Sequence, residues 1–498
     1  MEKIDDLAFW NYNALDSDVL KKIDPKLTNE LEAEGNTHAY EIQSALLQPL
    51  LYMMARGIRM DTEGIKKAST DIEKEITRLT LEIVKKSDGV IGNPNSPKQV
   101  MEYFYVHKGV PPYISLTTKK ITTDELALKR LARPISTRPG FEVASLLLKH
   151  RGLSKLKGTY LDITFDDDNR MRSFFSAGRT VSGRLSSSKT LRGTGLNMQT
   201  NPPPMKTFML ADEGYTIYNV DLAQAENRIV ANIGPEPRML EAFNRGDDIH
   251  SLTGALISGL SPQEVKRQDD EGIKCEVGNG LYTWRFWGKK ANHGLNYGLG
   301  YRNFALKYSI SEADAKLIIE GYHSAYPGVR KYHGWVRDQL EKGRTLTNIL
   351  GRRRKFLGIW GHDLFKEAYN WIPQSSVSSI INERGLLHIH NGQEKYEYVE
   401  PLLQVHDSIV FQIPNDVGWE YHASAIAGIK ASLETELEWM DRRFIIEVEV
   451  EMGRNLGHMR DNNPLGLREI KWTDSHLPTL EGHLKRQDRI MSSVKAPQ

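Results

Sequence analysis

The feature that most constrains the fold is a long helical segment set between two β-rich segments. Residues 222–345 carry apolar side chains at helical spacing, whereas a β-rich run ends at Asp221 and two further β-rich runs flank His406-Asp407. Each β-rich segment therefore presents an aspartate at a strand end. The chain must combine strands from distant parts of the sequence with a large inserted helical block.

The rest of the chain divides by the spacing of its apolar residues. Residues 38–87 are predicted to be helical with a break at Arg56-Gly57, and the prolines and glycine of 92–97 predict a loop. Three more helices are predicted, strand patterns occupy the regions on either side of the helical block, and the polar end of the chain is expected to form an appendix. The helices are 97–107, 123–132 and 141–160, the strand patterns lie in 170–221 and 397–455, and the appendix is 459–498.

Composition excludes several classes of protein. The 498 residues contain a single cysteine, Cys275, which excludes a disulfide-built fold and a cysteine-rich zinc site. The N-terminus is acidic, and the most apolar early segment, 45–55, is too short to cross a bilayer, so we expect a cytoplasmic protein with no membrane partner. The formal net charge is only +2, so any nucleic-acid site must carry its positive charge locally.

Asp221 has two interpretations. An aspartate between a strand and a helix often does no more than cap the helix, and Asp407 could be an ordinary turn residue. Here, however, Glu226 and Arg228 follow in the first turns of the predicted helix, and the two aspartates are offered at strand ends from distant parts of the chain. Together they could bind two divalent cations, because such ions prefer oxygen ligands and a pair of them supports in-line phosphoryl displacement.

A mixed stripe of cations and rings favours a nucleotide as the substrate. Four side chains recur every four residues, so a helix would place them in one slightly spiralling stripe: Arg285, Lys289, His293 and Tyr297. Cations suit a triphosphate, and rings suit a base and a sugar. Glycine costs about 1 kcal/mol in a helix interior, so the glycines of this segment are expected to allow close approach by another body. They are Gly288, Gly294 and Gly298.

These motifs resemble those of the family A DNA polymerases, the group that includes bacterial DNA polymerase I. Asp221–Arg228, the stripe ending at Tyr297-Gly298, and Val405-His406-Asp407 are similar to motifs A, B and C of that family. Further similar segments occur in the same order as in the family, from about residue 10 to 458. Their sequences are closest to those of bacteriophage replicative members. These segments are 56–61, 93–97, 154–160, 182–187 with 197–199, 246–250, and 351–354 with 370 and 374.

The resemblance implies an α+β fold, the right-hand polymerase fold with an antiparallel-sheet palm, helical fingers and a helical thumb. The implied divisions are 1–37 as a remnant of an exonuclease domain, 38–165 as the thumb, 166–221 as the first part of the palm with motif A, 222–350 as the fingers with motif B, 351–458 as the second part of the palm with motif C, and 459–498 as a C-terminal extension.

The resemblance also implies a role for each site residue. Asp221 and Asp407, with the backbone carbonyl of Leu222, would hold two Mg²⁺ ions, which Mn²⁺ could replace, and Lys289 would donate a proton to pyrophosphate. The incoming dNTP would be bound by Arg285, Lys289, His293, Tyr297, His250, Glu226 and Gln224. Primer–template DNA would be contacted by Arg184, Asn197, Gln199, Arg228, Asn370, Gln374, His406 and Lys366.

Four positions depart from the family's usual pattern. His293 stands where most relatives carry Phe or Tyr, Ser408 replaces the glutamate that usually follows the motif C aspartate, and Lys366 takes the place of an arginine. An inserted loop, Lys189–Gly195, lengthens the spacing between two of the DNA contacts. An imidazole at position 293 can donate a hydrogen bond to phosphates, and its cationic form should bind a triphosphate better, so we expect pH dependence between about pH 6 and 8.

The first residues imply a missing activity. Tyr12–Asp16 resembles the last motif of the family's 3′–5′ exonuclease domain, but the chain begins too late to contain the earlier acidic motifs. We therefore expect no proofreading by this chain, and a separate exonuclease or processivity subunit as a partner.

Three other functions remain open. A single-subunit RNA polymerase shares the palm and a His-Asp-Ser motif, but Glu226 would fill the space that a ribonucleotide needs. A catalytically inactive DNA-binding scaffold would not require Asp221, Asp407 and the basic stripe, all of which are present. A metal-dependent nuclease would use paired carboxylates without a triphosphate site. The predicted function is template-directed DNA polymerisation in phage replication, in the host bacterial cytoplasm.

Overall fold

The structure is a computed structural model that describes residues 6–115, 118–132, 140–278, 280, 282–308, 310–472 and 476–493. Of the predicted terminal segments, 1–37 includes five residues that lie outside the described ones, and 459–498 includes eight. None of the described helices is long and apolar enough to cross a membrane.

The N-terminal third is helical and confirms the breaks that the sequence predicts. Its helices and one short strand are α1 (Asp6–Ala33), α2 (Thr37–Ala45), α3 (Leu47–Arg56), β1 (Ile58–Met60), α4 (Thr62–Lys86), α5 (Pro97–Met101), α6 (Glu125–Leu131) and α7 (Phe141–Leu156). Gly57 ends α3 with a positive φ of 66°, where a β-carbon would lie 2.9 Å from the carbonyl oxygen of Met171. The Asp61 side chain then accepts a hydrogen bond from Gly64 N and starts α4.

A five-stranded antiparallel sheet forms the centre of the molecule, in the order β14-β13-β6-β10-β9. Four short strands precede it along the chain, together with one short helix: β2 (Arg170–Met171), β3 (Phe174–Ser176), β4 (Ser186–Ser188), α8 (Pro203–Lys206) and β5 (Met209–Leu210). The sheet strands are β6 (Tyr215–Leu222), β9 (Glu400–Val405), β10 (Ser408–Pro414), β13 (Val448–Gly453) and β14 (Arg468–Glu469). Strand β10 is buried along most of its length, which explains why its sequence is apolar rather than alternating.

The helical block lies between β6 and the next strand pair, as the spacing predicts. It consists of α9 (Ala225–Ile233), α10 (Pro237–Arg245), α11 (Ile249–Ser258), α12 (Pro262–Asp270), α13 (Trp284–Leu295), α14 (Tyr301–Tyr308), α15 (Glu312–Ala325) and α16 (Pro327–Gly343). Helices α11 and α13 pack closely, because a β-carbon on Gly288 would lie 2.1 Å from the carbonyl oxygen of His250. The expected body that approaches this glycine is therefore a helix of the same chain.

The chain then returns to the sheet. The returning elements are β7 (Thr345–Thr347), β8 (Arg353–Lys355), α17 (His362–Ser379), α18 (His388–Asn391), α19 (Gln393–Tyr396), α20 (Trp419–Leu433), β11 (Leu437–Trp439) and β12 (Arg442–Phe444). The last helix is α21 (Leu477–Ser493).

The segment after residue 458 is not an appendix, so that prediction is wrong for its described part. Strand β14 pairs with β13, and α21 packs against α20 with three buried side chains, Leu480, Leu484 and Met491. Arg454 also forms a salt bridge with Asp488 of α21. The polar composition of the segment concealed this docking because only one stripe of α21 is apolar.

Candidate active site

The sheet brings the two predicted carboxylates together. Asp221 lies near the end of β6 and pairs in register with Ser408, the first residue of β10, so Asp407 is its diagonal neighbour. The backbone N–H of Leu222 donates to the carbonyl oxygen of Asp407 at 3.0 Å. Both aspartates line one cavity of about 310 Å³. The predicted juxtaposition thus arises from antiparallel pairing between strands distant in sequence.

Local sequence fixes each aspartate at its strand end. His406 and Asp407 form the tight turn between β9 and β10, and His406 has a φ of 54°, which is uncommon for a residue with a side chain. The carbonyl oxygen of His406 accepts a hydrogen bond from Gln404 Nε2 at 2.8 Å. On the other strand, Gln224 begins α9 in the left-handed conformation. Asp221 therefore belongs to the strand and does not cap the helix.

The cavity concentrates negative charge. Burial raises the pKa of Asp221 to about 8, and the neighbouring carboxylates of Asp407, Glu449 and Glu451 add to the rise. Burial also raises the pKa of Asp407. Among the described residues, no salt bridge or side-chain hydrogen bond reaches either aspartate. Lys206 lines the cavity, and its charge opposes the rise in the pKa of Asp221 less strongly than the carboxylates promote it.

The glutamates of β13 were missed by the sequence reasoning. Glu449 stands opposite Asp221 in the β6–β13 pair, and Glu451 stands opposite Asn219, so their side chains share the face of Asp221. The alternating Glu-Val-Glu-Val-Glu of 447–451 predicts that these glutamates share a face of one strand. It does not say which strand lies next to β13, so the sequence could not assign them to the site.

The two carboxylates fit a divalent cation that takes few ligands from the protein better than they fit a metal ion held by many protein ligands. Within the described ranges, no cluster of three or more His, Cys, Asp or Glu side chains could hold a metal ion. Two partly buried carboxylates that repel one another are instead the arrangement that Mg²⁺ uses when it keeps waters and substrate oxygens as its other ligands. The carbonyl of Leu222 as a further ligand stays a prediction.

The basic stripe is carried by α13, but its last member is not. The helix ends at Leu295, and Tyr297 lies in the following turn, where Gly298 has a φ of 69° and its N–H donates to Leu295 O at 3.1 Å. A β-carbon on Gly298 would lie 2.9 Å from the ring of Tyr369. The prediction of one continuous helical stripe is therefore wrong at Tyr297, because the glycine turn ends the helix before that residue.

The cations and imidazoles of the stripe have different partners. Arg285 Nε donates to Asp248 at 2.7 Å, whereas Lys289 is exposed and has no carboxylate partner among the described residues. The ring centroids of His250 and His293 lie 5.7 Å apart. Burial, His293 and nearby cations lower the pKa of His250 to about 4. Burial and three lysines lower the pKa of His293, so both rings are neutral near pH 7.

Glu226 joins the α13 end of the site to the strands. Its carboxylate forms a salt bridge with Arg184 and accepts a hydrogen bond from the Tyr297 hydroxyl. Burial raises its pKa despite the arginine. Gln224, predicted to contact the nucleotide, is exposed at the start of α9.

The predicted DNA contacts differ in their accessibility. Gln199 is buried and donates to Gln404 Oε1 at 3.1 Å, whereas Asn197 is exposed. Arg228 is buried, pairs with Glu447 and lies 4.8 Å over the Phe243 ring, so its charge is already used within the protein. Three more predicted contacts recur every four residues on α17 and therefore share a face: Lys366, Asn370 and Gln374. Asn370 Oδ1 is buried and accepts no hydrogen bond from the described residues.

Comparison with known proteins assigns the family. A sequence model described as DNA polymerase family A matches residues 62–458. The chain belongs to this family. The matched region begins at α4 and ends between β13 and β14. It therefore includes both aspartates, the basic stripe and four of the five strands of the central sheet.

Individual relatives agree with the assignment to family A. DNA polymerase I of Helicobacter pylori is 29% identical over 392 residues, which cover 77% of this chain and 40% of that protein. The thermostable DNA polymerase I of Thermus filiformis is 27% identical over 436 residues, covering 83% of this chain and 47% of the relative. This chain therefore spans less than half the length of these two relatives.

A solved structure shares the fold. It is the POL domain of Pol1 from M. smegmatis in complex with DNA primer-template and dNTP, with a TM-score of 0.68 and 25% sequence identity over 82% of this chain and 69% of that one. The α+β polymerase fold expected from the sequence is thereby confirmed.

Proposed function

We propose that this chain is a template-directed DNA polymerase that adds dNTPs to the 3′ end of a primer. The observation that carries the proposal is the pair Asp221 and Asp407, which the sheet holds in one cavity and which no cation of the described residues meets in a salt bridge. Membership of family A supports the same reaction. A structural neighbour that is a complex with DNA primer-template and dNTP supports these substrates.

In this proposal the aspartates hold two Mg²⁺ ions, which Mn²⁺ can replace. Bound in this way, the ions would lower the pKa of the primer hydroxyl and stabilise charge on the leaving oxygen. Lys289, whose ammonium group has no carboxylate partner among the described residues, binds the triphosphate and donates a proton to pyrophosphate. Arg285 stays anchored on Asp248 and offers its remaining guanidinium N–H groups to the phosphates.

Glu226 selects the sugar in the same proposal. Arg184 and Tyr297 fix its carboxylate from two sides, so the side chain cannot move away to admit a ribose 2′-hydroxyl. This favours DNA over RNA polymerisation.

The proposal also includes the other predicted contacts. The remaining residues of the stripe would bind dNTP, and Asn197, His406 and the α17 face would bind DNA. Phage replication, a separate exonuclease or processivity subunit, and a cytoplasmic location are also part of it.

One assay separates the proposal from its alternatives. The purified chain is incubated with a labelled primer–template and Mg²⁺, with dNTPs in one reaction and rNTPs in another. Template-dependent extension with dNTPs only is the expected result. Extension with rNTPs indicates an RNA polymerase, shortening of the DNA indicates a nuclease, and binding without either indicates a scaffold. Each of these last three results contradicts the proposal.

A further inference from the structure

The inserted loop Lys189–Gly195 is a built turn rather than a loose excursion. Thr190 N donates to Thr194 O at 3.0 Å, the two threonine hydroxyls lie 2.8 Å apart, and Gly193 N donates to Thr190 O at 3.0 Å. Gly195 has a φ of 72°, and a β-carbon there would lie 1.8 Å from the carbonyl oxygen of Arg172. The base of the loop is therefore tied to the strand region, and its tip is held in one orientation.

The tip carries two cations and one apolar side chain that the protein does not use. Leu191 is 99% exposed, the highest exposure among the large hydrophobic residues that the structure describes. Lys189 and Arg192 are exposed, and neither has a carboxylate partner within the described ranges. Holding an exposed leucine between two such cations costs conformational entropy and adds no contact that stabilises the folded chain. These side chains are arranged for a partner that is negatively charged and has an apolar surface.

The position of the loop identifies the partner. The loop begins directly after β4 and ends two residues before Asn197, so it lies between the predicted DNA contacts Arg184 and Asn197. Thr194 Oγ1 donates to Asp166 at 3.2 Å, and Gly195 N donates to Thr164 O at 3.5 Å, which places the loop where the predicted thumb joins the predicted palm. A duplex held between these two parts would pass this junction.

We propose that the loop tip contacts the primer–template duplex behind the active site, with Lys189 and Arg192 on phosphates and Leu191 against the groove. This inference rests on the proposed function. Single-stranded DNA is a poorer partner because binding of unpaired bases relies on aromatic rings, and the loop has none. Leu191 and Arg192 also line a cavity of about 550 Å³ together with three consecutive aspartates, 166–168. Two of these aspartates, Asp166 and Asp168, are already paired with Arg172.

The test measures DNA binding without catalysis. The probe is a fluorescein-labelled primer–template of about 20 base pairs with a short overhang, titrated at several salt concentrations without dNTP or metal. Lys189→Ala/Arg192→Ala should weaken binding about tenfold and reduce the slope of log affinity against log salt by about 2, one for each lost phosphate contact. Leu191→Ala should weaken binding about threefold and leave the slope unchanged, because it removes no charge.

A matched control removes the same charge elsewhere. Lys21→Ala/Lys26→Ala on α1 should bind the duplex as the wild type does, since both lysines are exposed and far from the loop in sequence. Wild-type affinity and slope in the loop variants would overturn the inference, and an equal loss on a single strand of the same length would overturn the duplex as the partner. Leu191 is fully exposed, so its replacement does not threaten folding. Because binding is the readout, failure of this inference is distinct from failure of primer extension.

Discussion

The two ends of strand β6 each hold a pair of carboxylates, and the protein treats them in opposite ways. Asp212, just before β6, lies beside Glu400 of β9, and both are satisfied by cations and amides from elsewhere in the chain. The donors to this first pair are Arg56, Arg170 and Gln412. Asp221 and Asp407, at the other end, receive no such donors from the described residues.

The electrostatic outcome differs accordingly. Burial opposes ionisation of Asp212, but the hydrogen bonds and charge of Arg170, Gln412 and Arg56 hold its pKa below the usual range. Burial and, to a smaller extent, the neighbouring Asp407 together raise the pKa of Asp221 to about 8. The same residue type, on one sheet, is a salt-bridged anion at one end and, at the other, a carboxyl group of raised pKa with no salt bridge from the described residues. In the proposed function, cations from solution neutralise this second pair.

The largest expected effect is loss of primer extension when the unneutralised pair is broken. Asp221→Ala or Asp407→Ala should slow extension at least about 10³-fold, because loss of a metal site costs several kcal/mol in the transition state. DNA binding should be largely retained. Single-turnover extension and DNA titration measure the two quantities. Asp416→Ala, an exposed aspartate just after β10, is the control and should extend normally. A variant of either predicted ligand that kept a tenth of the wild-type rate would refute the two-metal assignment.

The second expected effect is on stability, and here the Asp212 end of β6 matters more than the Asp221 end. Asp212→Ala should lower the free energy of unfolding by about 3 kcal/mol, because it removes the carboxylate that Arg56 and Arg170 share in a partly buried site and leaves Arg56 with Glu400 alone. For a chain of this length this corresponds to a melting temperature lowered by about 3 °C. Asp221→Ala should not lower the melting temperature of the metal-free protein, since it removes a buried carboxyl group that has no salt bridge from the described residues. Calorimetry of the two variants checks this, and equal destabilisation by both would end the comparison.

The third effect is a pH dependence between about pH 4 and 8 that comes from the Asp221 end, because the lowered pKa of Asp212 affects stability only at more acidic pH. A carboxyl group with a raised pKa stays protonated in the folded chain while the unfolded chain ionises, so the folded state binds more protons and stability falls as pH rises. The melting temperature of the metal-free protein should therefore fall between about pH 4 and 8, up to the raised pKa of Asp221. Asp221→Asn should flatten this fall, and Mg²⁺ should reduce it in the wild type. Identical profiles for wild type and Asp221→Asn would show that Asp221 ionises normally.

Glu226 shares one property with each pair of carboxylates. Burial raises its pKa, as at Asp221, and yet it forms a salt bridge, here with Arg184, as Asp212 does with its arginines. Removing it should open space at the sugar, so Glu226→Ala should narrow the preference for dNTPs over rNTPs by about 10- to 100-fold, the range of a 1–3 kcal/mol contact. Glu226→Gln keeps the side-chain volume and is the matched control, with most of the preference retained. Kinetics with both nucleotide types measure the ratio. Unchanged selectivity in Glu226→Ala would place the discrimination elsewhere.

The smallest expected effect concerns a basic side chain, His293, and the pH dependence of dNTP binding. His293 is surrounded by lysines, which together with burial lower its pKa. The pH dependence expected from the sequence therefore moves below about pH 6.5, where the imidazolium that binds triphosphate better is formed. The dNTP KM should rise with pH between about pH 5 and 6.5 by a fewfold in wild type and less in His293→Phe. A neutral ring can also donate to phosphates, so wild type should discriminate less against dideoxynucleotides. Parallel profiles and equal selectivity would leave His293 a packing residue.

The sequence predicted the local elements well because their causes are local. The helices on either side of Arg56-Gly57, the hairpin at His406-Asp407 and the strand ending near Asp221 depend on glycine conformation, apolar spacing and turn residues. The same local view failed at two places. It extended the α13 stripe through Tyr297, and it treated 459–498 as an appendix. For the C-terminal segment, a contact with a distant helix, α20, determines the outcome. Helix α13 instead ends at a local glycine turn, which the four-residue spacing did not take into account.

The sequence by itself determined which residue types stand at the predicted site: two aspartates at strand ends, a basic helix and a glutamate at the start of α9. Only the tertiary structure decided which of them are neutralised. Arg228 and Arg285 are bound to Glu447 and Asp248, whereas Lys289 has no carboxylate partner in the described part of the chain. Glu449 joins Asp221 across a strand pair that no local pattern specifies. The physical reason is that side-chain type is a property of the sequence, whereas pKa and ion pairing depend on burial and on neighbours that folding brings from elsewhere in the chain.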